Sequence, residues 1–120
     1  MHKKRLFEIY VQPDGQNEFL SYYEQLPARD RQKMLAVLSQ IQDTNLLVAQ
    51  RNLWVKRIEK DLYELRCYVS SERTHGICFI LTENNYLITH AYPKASSAVP
   101  SLEIKHLKQM RKEWTTHHGN

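Results

Sequence analysis

Cysteine is scarce in this chain: Cys67 and Cys78 are the only two among 120 residues. The basic start Met1-His2-Lys3-Lys4-Arg5 runs into a strand-like segment rather than the apolar stretch of a secretory leader. Two cysteines without a leader make no disulfide framework, so both thiols are expected reduced, in a cytoplasmic protein. No apolar run approaches the length of a membrane span, so no membrane partner is expected. Motifs for a nucleotide cofactor or a metal ion are missing too, so neither is expected, nor any small-molecule cofactor. Repeats, linkers and low-complexity tracts are absent, which points to one domain over residues 1–120.

Apolar residues make up 42% of the chain, enough for a packed core and against general disorder. Lysine and arginine number 17 against 13 acidic residues, a formal charge of +4. That excess is compatible with an anionic partner without requiring one.

Residues 4–12 alternate, with Phe7, Ile9 and Val11 on one side and Glu8 and Tyr10 on the other. This predicts a first strand, ended by Pro13-Asp14-Gly15. Phe19, Leu20, Tyr23 and Leu26 have helical spacing, and Pro27 suits the first turn of a second helix. Along 29–47, Met34, Leu35, Leu38 and Ile41 form an apolar stripe, weakened at Asp43-Thr44-Asn45. Residues 53–97 then read as a three-strand meander over about 53–69, 74–81 and 86–93, the first strand pairing through 61–69. Pro100 opens a last helix with Glu103 near its positive end and Ile104, Leu107, Met110 and Trp114 on one face. A loose tail is expected over 115–120. The expected fold is α+β: an antiparallel sheet with helices packed on one face, in the order β-α-α-β-β-β-α.

Strand parity divides the meander. Leu65, Cys67 and Val69 alternate with Glu64, Arg66 and Tyr68, and Ile77, Phe79 and Leu81 alternate with Thr74, Gly76 and Cys78. Burying both large sets pairs Leu65 with about Phe79 and Cys67 with about Ile77, around a loop at Ser71-Glu72-Arg73. Arg66 then lies on an open face beside Gly76 and Cys78, whose small side chains leave room for a ligand. The two cysteines point to opposite faces. His75 falls on the covered face, and the same parity sends Ile88, His90 and Tyr92 toward the core. Both histidines are thus expected as hydrogen-bonded core-edge residues, and His106, His117 and His118 make no metal site.

With these residues placed, the chain resembles the RelE/ParE superfamily of bacterial toxins, and within it the HigB-type, phage-derived branch. The matching features are Phe19-Leu20 with Leu26-Pro27, Trp54 to Lys56, the run Leu-Tyr-Glu-Leu-Arg at 62–66, Arg73, the run from Thr89 to Ser96, and Pro100 with Glu103-Ile104. Where the family opens its third strand with Tyr-Arg, this chain has Glu72-Arg73 and then His75. Where it carries Lys-Lys after the last strand, this chain has Lys94-Ala95. The resemblance implies a RelE-like fold and a toxin of a type II toxin–antitoxin system. The activity implied is that of a ribosome-dependent endoribonuclease (an mRNA interferase, a hydrolase that inhibits translation) cutting message in the A site of the small ribosomal subunit. It also implies a cognate helix-turn-helix antitoxin of the HigA type. Two alternatives stay open: a ParE-like inhibitor of DNA gyrase, and a non-catalytic module that binds nucleic acid or protein.

RNA can be cut without a metal, because its 2′-hydroxyl can attack the adjacent phosphate. Arg66 is expected to clamp that phosphate and stabilise the transition state, against the alternative of a surface arginine paired with Glu64. Arg73 and Lys94 complete the candidate catalytic set, Lys94 as a phosphate contact or a proton donor. Lys56, Glu64 and Tyr68 are the candidate RNA-binding residues. Glu64 either acts as general base or holds the arginine, and Tyr68 could stack on a base.

Overall fold

A computed structural model describes residues 4–117. Residues 1–3 and 118–120, with His118, lie outside the described residues. The order is β1 (Phe7–Ile9), α1 (Glu18–Glu24), α2 (Ala28–Gln42), α3 (Leu46–Arg51), β2 (Val55–Glu59), β3 (Leu62–Ser70), β4 (Arg73–Leu81), β5 (Tyr86–Pro93) and α4 (Ser101–His117). The strands form one sheet in the order β1-β5-β4-β3-β2. β2 to β5 run as an antiparallel meander, and β1 joins the far edge parallel to β5. The α+β expectation therefore holds, but the sheet is mixed rather than antiparallel.

Helices cover both faces, not one. Met34, Val37, Leu38 and Ile41 of α2 and Phe19 of α1 pack with Leu65, Cys67, Ile77 and Phe79. Leu107 and Met110 of α4 pack on the opposite face with Leu62, Cys78, Ile80 and Leu87. Consecutive side chains of a strand leave on opposite sides, so the unbroken buried run in β4 from His75 to Ile80 is the mark of a strand between two layers.

Several local expectations change for identifiable reasons. Residues 53–69 are two strands, because the chain turns at Lys60-Asp61, where Asp61 takes a φ of 66°. The stretch 29–47 is not one helix: α2 stops at Gln42, and the Asn45 side chain accepts from Val48 N at 2.9 Å to start α3. Leu35 is 56% exposed, and Val37 takes its place in the core. Residues 115–117 continue α4 rather than forming a loose tail.

The register of β3 and β4 pairs Leu65 with Ile77 and Cys67 with His75. That is two residues from the expected pairing, so each side chain keeps its expected face. The connection shortens to Ser71-Glu72, with Ser70 opposite Arg73. In β5, however, Cys78 pairs with His90 while Phe79 pairs with Ile88. The extra residue, Thr89, forms a bulge. Its buried hydroxyl donates to Cys78 O at 3.2 Å. The bulge inverts the parity beyond it, so Ile88 stays under α2 as expected, but His90 and Tyr92 move to the α4 face.

Candidate active site

Glu64 and Arg66 sit two residues apart on β3 and so share the α4 face. Glu64 lies opposite Lys56 of β2 and Cys78 of β4, and Arg66 lies opposite Gly76. Helix α4 packs farther along the strands, over Leu62, Ile80 and Leu87, and Arg66 remains partly exposed.

Glu64 is fully buried. A buried carboxylate is tolerated only with donors around it, and three converge. Lys94 Nζ donates to Oε2 at 2.8 Å, Arg66 Nε to Oε1 at 3.4 Å, and the Tyr92 hydroxyl to Oε2. The Lys94 side chain is only 3% exposed. Its second acceptor is Ala98 O at 3.1 Å. Arg66 donates from Nη2 to Ser97 O at 2.6 Å. Two cations against one carboxylate leave a positive excess. Arginine has five N–H donors and lysine three, so both retain donors beyond those contacts.

Arg66 and Lys94 line a groove above this carboxylate. One cavity of about 380 Å³ runs over Arg66, Tyr68 and Thr74, between the β3–β4 turn and the loop after β5 that carries Lys94. A second, of about 430 Å³, shares Arg66 and Ser97 with it and extends to Lys56 and Arg57 on β2. Tyr68, 64% exposed, stands at the other end. Four of the six residues expected from the sequence, Lys56, Arg66, Tyr68 and Lys94, thus line one groove, and Glu64 lies buried beneath it, bonded to two of them. Arg73 does not line it. It belongs to the opposite face of β4, where its Nη2 lies 3.0 Å from Asp30 Oδ1 and 44% of its side chain is exposed.

Sequence reasoning missed Tyr92, because nothing in the sequence signals the Thr89 bulge. Burial, together with the neighbouring Cys78 and Glu64, pushes the Tyr92 phenol far above its ordinary range, so it stays a donor. The expected ligand space over Gly76 is also filled from within. A Cβ built on Gly76 would meet the Tyr92 ring at 2.8 Å and Glu64 Oε2 at 2.9 Å. Gly76→Ala should therefore force Tyr92 and Glu64 apart, at about 1–3 kcal/mol of stability, read as a lower thermal midpoint. An unchanged midpoint would show that the cluster can shift at no cost.

A family model described as phage derived protein Gp49-like (DUF891) matches residues 21–112. The chain belongs to that family. The Gp49-like proteins are a RelE/ParE-like toxin family of toxin–antitoxin systems. The matched span runs from α1 to α4 and holds the whole groove, whose lining runs from Gln50 to Ser97. No curated protein sequence matches the chain significantly. Among the described residues, no helix is long and apolar enough to cross a membrane, and no group of three or more His, Cys, Asp or Glu side chains could hold a metal ion.

The two cysteines and the two strand histidines of this Gp49-like chain are buried. Cys67 and Cys78 are buried free thiols on opposite faces, pushed by burial to about 11 and about 12, so neither is a ready nucleophile. His75 is on the α2 face as parity requires, with Nδ1 2.6 Å from the Tyr22 hydroxyl and Nε2 2.8 Å from Asp30 Oδ2. His90 is buried under α4, with Nδ1 2.9 Å from Thr89 Oγ1. Its Nε2 is 3.2 Å from Glu103 Oε1, at an angle outside that of a hydrogen bond.

Burial, then the neighbouring His106, lowers the His90 imidazole to about 3. The unfolded chain would bind that proton near the ordinary value of 6.5, so stability falls as pH drops through 6.5 toward 3. Between pH 7 and pH 5 the loss from His90 is about 2 kcal/mol. Urea unfolding at both pH values checks this, and His90→Phe should flatten the difference.

Proposed function

We propose that this Gp49-like chain is the toxin of a toxin–antitoxin pair and acts in the cytoplasm as a ribosome-dependent endoribonuclease. It cuts message in the ribosomal A site and is held inactive by a helix-turn-helix antitoxin of the HigA type. The observation that carries the reading is the pair Arg66 and Lys94, gathered on buried Glu64 beneath a groove. The cations Lys56 and Arg57 at one end of that groove and exposed Tyr68 at the other suit a single RNA strand whose base stacks on the tyrosine.

The chemistry uses the substrate's own nucleophile, with no metal required. The 2′-oxygen forms a bond to phosphorus while the bond from phosphorus to the 5′-oxygen breaks, leaving a 2′,3′-cyclic phosphate and a 5′-hydroxyl. The 2′-hydroxyl proton passes to water, and the Lys94 ammonium supplies the proton to the departing 5′-oxygen. Arg66 meets the charge that builds on the phosphate oxygens. Glu64 is engaged by three donors, which favours holding Arg66 and Lys94 in place over acting as the base.

Induced expression with mapped mRNA 5′ ends tests the reading. Cuts in register with A-site codons, absent in Arg66→Ala, are expected. DNA damage with intact message would point instead to gyrase and overturn the nuclease assignment.

A further inference from the structure

We propose that Asp30 is a positioning residue for Lys94, acting through the sheet from the face opposite the groove. Its effect on cleavage rests on the nuclease reading above; its effect on Lys94 does not. Asp30 lies in the first turn of α2 and is fully buried. Helix α2 is itself anchored in the core by Met34 and Ile41, so the carboxylate is a fixed point. Both of its oxygens are directed at the first residues of β4. Arg73 Nη2 is 3.0 Å from Oδ1, a charge contact off the angle of a hydrogen bond, and His75 Nε2 is 2.8 Å from Oδ2. His75 is held from its other side by the Tyr22 hydroxyl of α1.

Thr74 lies between these two anchors. Strand alternation turns it to the other face, where it lines the groove. The Thr74 carbonyl accepts the backbone N–H of Lys94 at 2.8 Å. Lys94 follows the end of β5, so this bond fixes where its side chain starts before Nζ reaches Glu64 Oε2. The line from Asp30 to Lys94 is therefore two side-chain anchors, one carbonyl between them and one backbone hydrogen bond. It also gives Arg73 a role that needs no contact with RNA. A catalytic ammonium misplaced by a fraction of an ångström loses rate without losing binding.

The test compares wild type with Asp30→Asn in two ways. In free protein, the NMR signals of the Lys94 side-chain ε-methylene should move while those of exposed Lys112 stay in place. In ribosome-dependent cleavage, kcat should fall about tenfold with KM within about twofold. In a Lys94→Ala background Asp30→Asn should then cost nothing further. A residue that only supported folding would give equal losses in both backgrounds. If Asp30→Asn does not fold, Arg73→Gln, which cuts one anchor at a partly exposed side chain, should move the same Lys94 signals. Unmoved Lys94 signals in the variant examined, or additive losses, would overturn the proposal. If wild type proved not to cleave RNA, the nuclease reading would fail while the NMR comparison still decided the role of Asp30.

Discussion

Arg66→Ala is expected to slow single-turnover cleavage of ribosome-bound message by about 10²–10³-fold, the usual effect of deleting one preorganised donor to a developing oxyanion. Arg66 has the position this requires. It stands where the two halves of the groove meet, its Nε is oriented by Glu64, and it is partly exposed while Lys94 beside it is buried. The fold should survive the change. Lys94 and Tyr92 still satisfy Glu64, and a partly exposed ion pair contributes only about 1 kcal/mol or less. Circular dichroism, a thermal midpoint close to that of wild type and retained antitoxin binding would separate lost chemistry from lost structure. Arg66→Lys should recover little, because an ammonium cannot reproduce the planar fork on two phosphate oxygens. Cleavage by Arg66→Ala at a rate near that of wild type would remove Arg66 from the mechanism.

Glu64→Ala is expected to be the most destabilising single change in the groove. It leaves the nearly buried Lys94 ammonium without its carboxylate and the Tyr92 hydroxyl without its acceptor. Breaking one side of a buried pair costs about 3–5 kcal/mol, or roughly 10–20 °C in thermal midpoint for a chain of this size. The double variant Glu64→Leu with Lys94→Met should recover most of that loss, since an apolar pair of similar volume escapes the desolvation cost. It should remain inactive, because Lys94 is gone. Thermal melts of the single and double variants decide the matter. If the double variant melts no higher than Glu64→Ala, the stranded Lys94 charge is not the source of the loss, and the Tyr92 hydroxyl left without its acceptor is.

The sequence was most legible where one face of an element is apolar and the other is not. The stripe of Met34, Leu38 and Ile41, the last helix through Leu107 and Met110, and the split between Leu65-Cys67 and Glu64-Arg66 all follow from periodicity. Even a pairing shifted by two residues left Arg66, Glu64 and Tyr68 on their expected face, because side-chain parity repeats every second residue. It was least legible where one residue changes the count. The turn at Asp61 makes two strands of a run in which only 61–69 is expected to pair, and the Asn45 cap restarts a helix that reads as one piece. The Thr89 bulge carries Tyr92 to Glu64 with no local motif to announce it.

From its sequence alone this chain is an α+β protein that resembles the RelE/ParE toxins, with Arg66, Arg73, Lys94, Glu64, Tyr68 and Lys56 as its candidate site. The α+β class and the face carrying Arg66, Glu64 and Tyr68 rest on alternation, a local property, while the RelE/ParE-like character and the choice of Lys56, Arg73 and Lys94 rest on the resemblance of short motifs. Tertiary structure alone decided which of the charged groups meet. It paired Arg73 with Asp30 on the far face, brought Tyr92 and Lys94 to one buried carboxylate, and covered with α4 one end of the face that parity had left open. Long-range contacts of this kind depend on register, on bulges and on which helix covers which face. A carboxylate without water takes whatever donors that packing delivers, and here it took Tyr92, which lies 28 residues along the chain, and Lys94, 30 residues along.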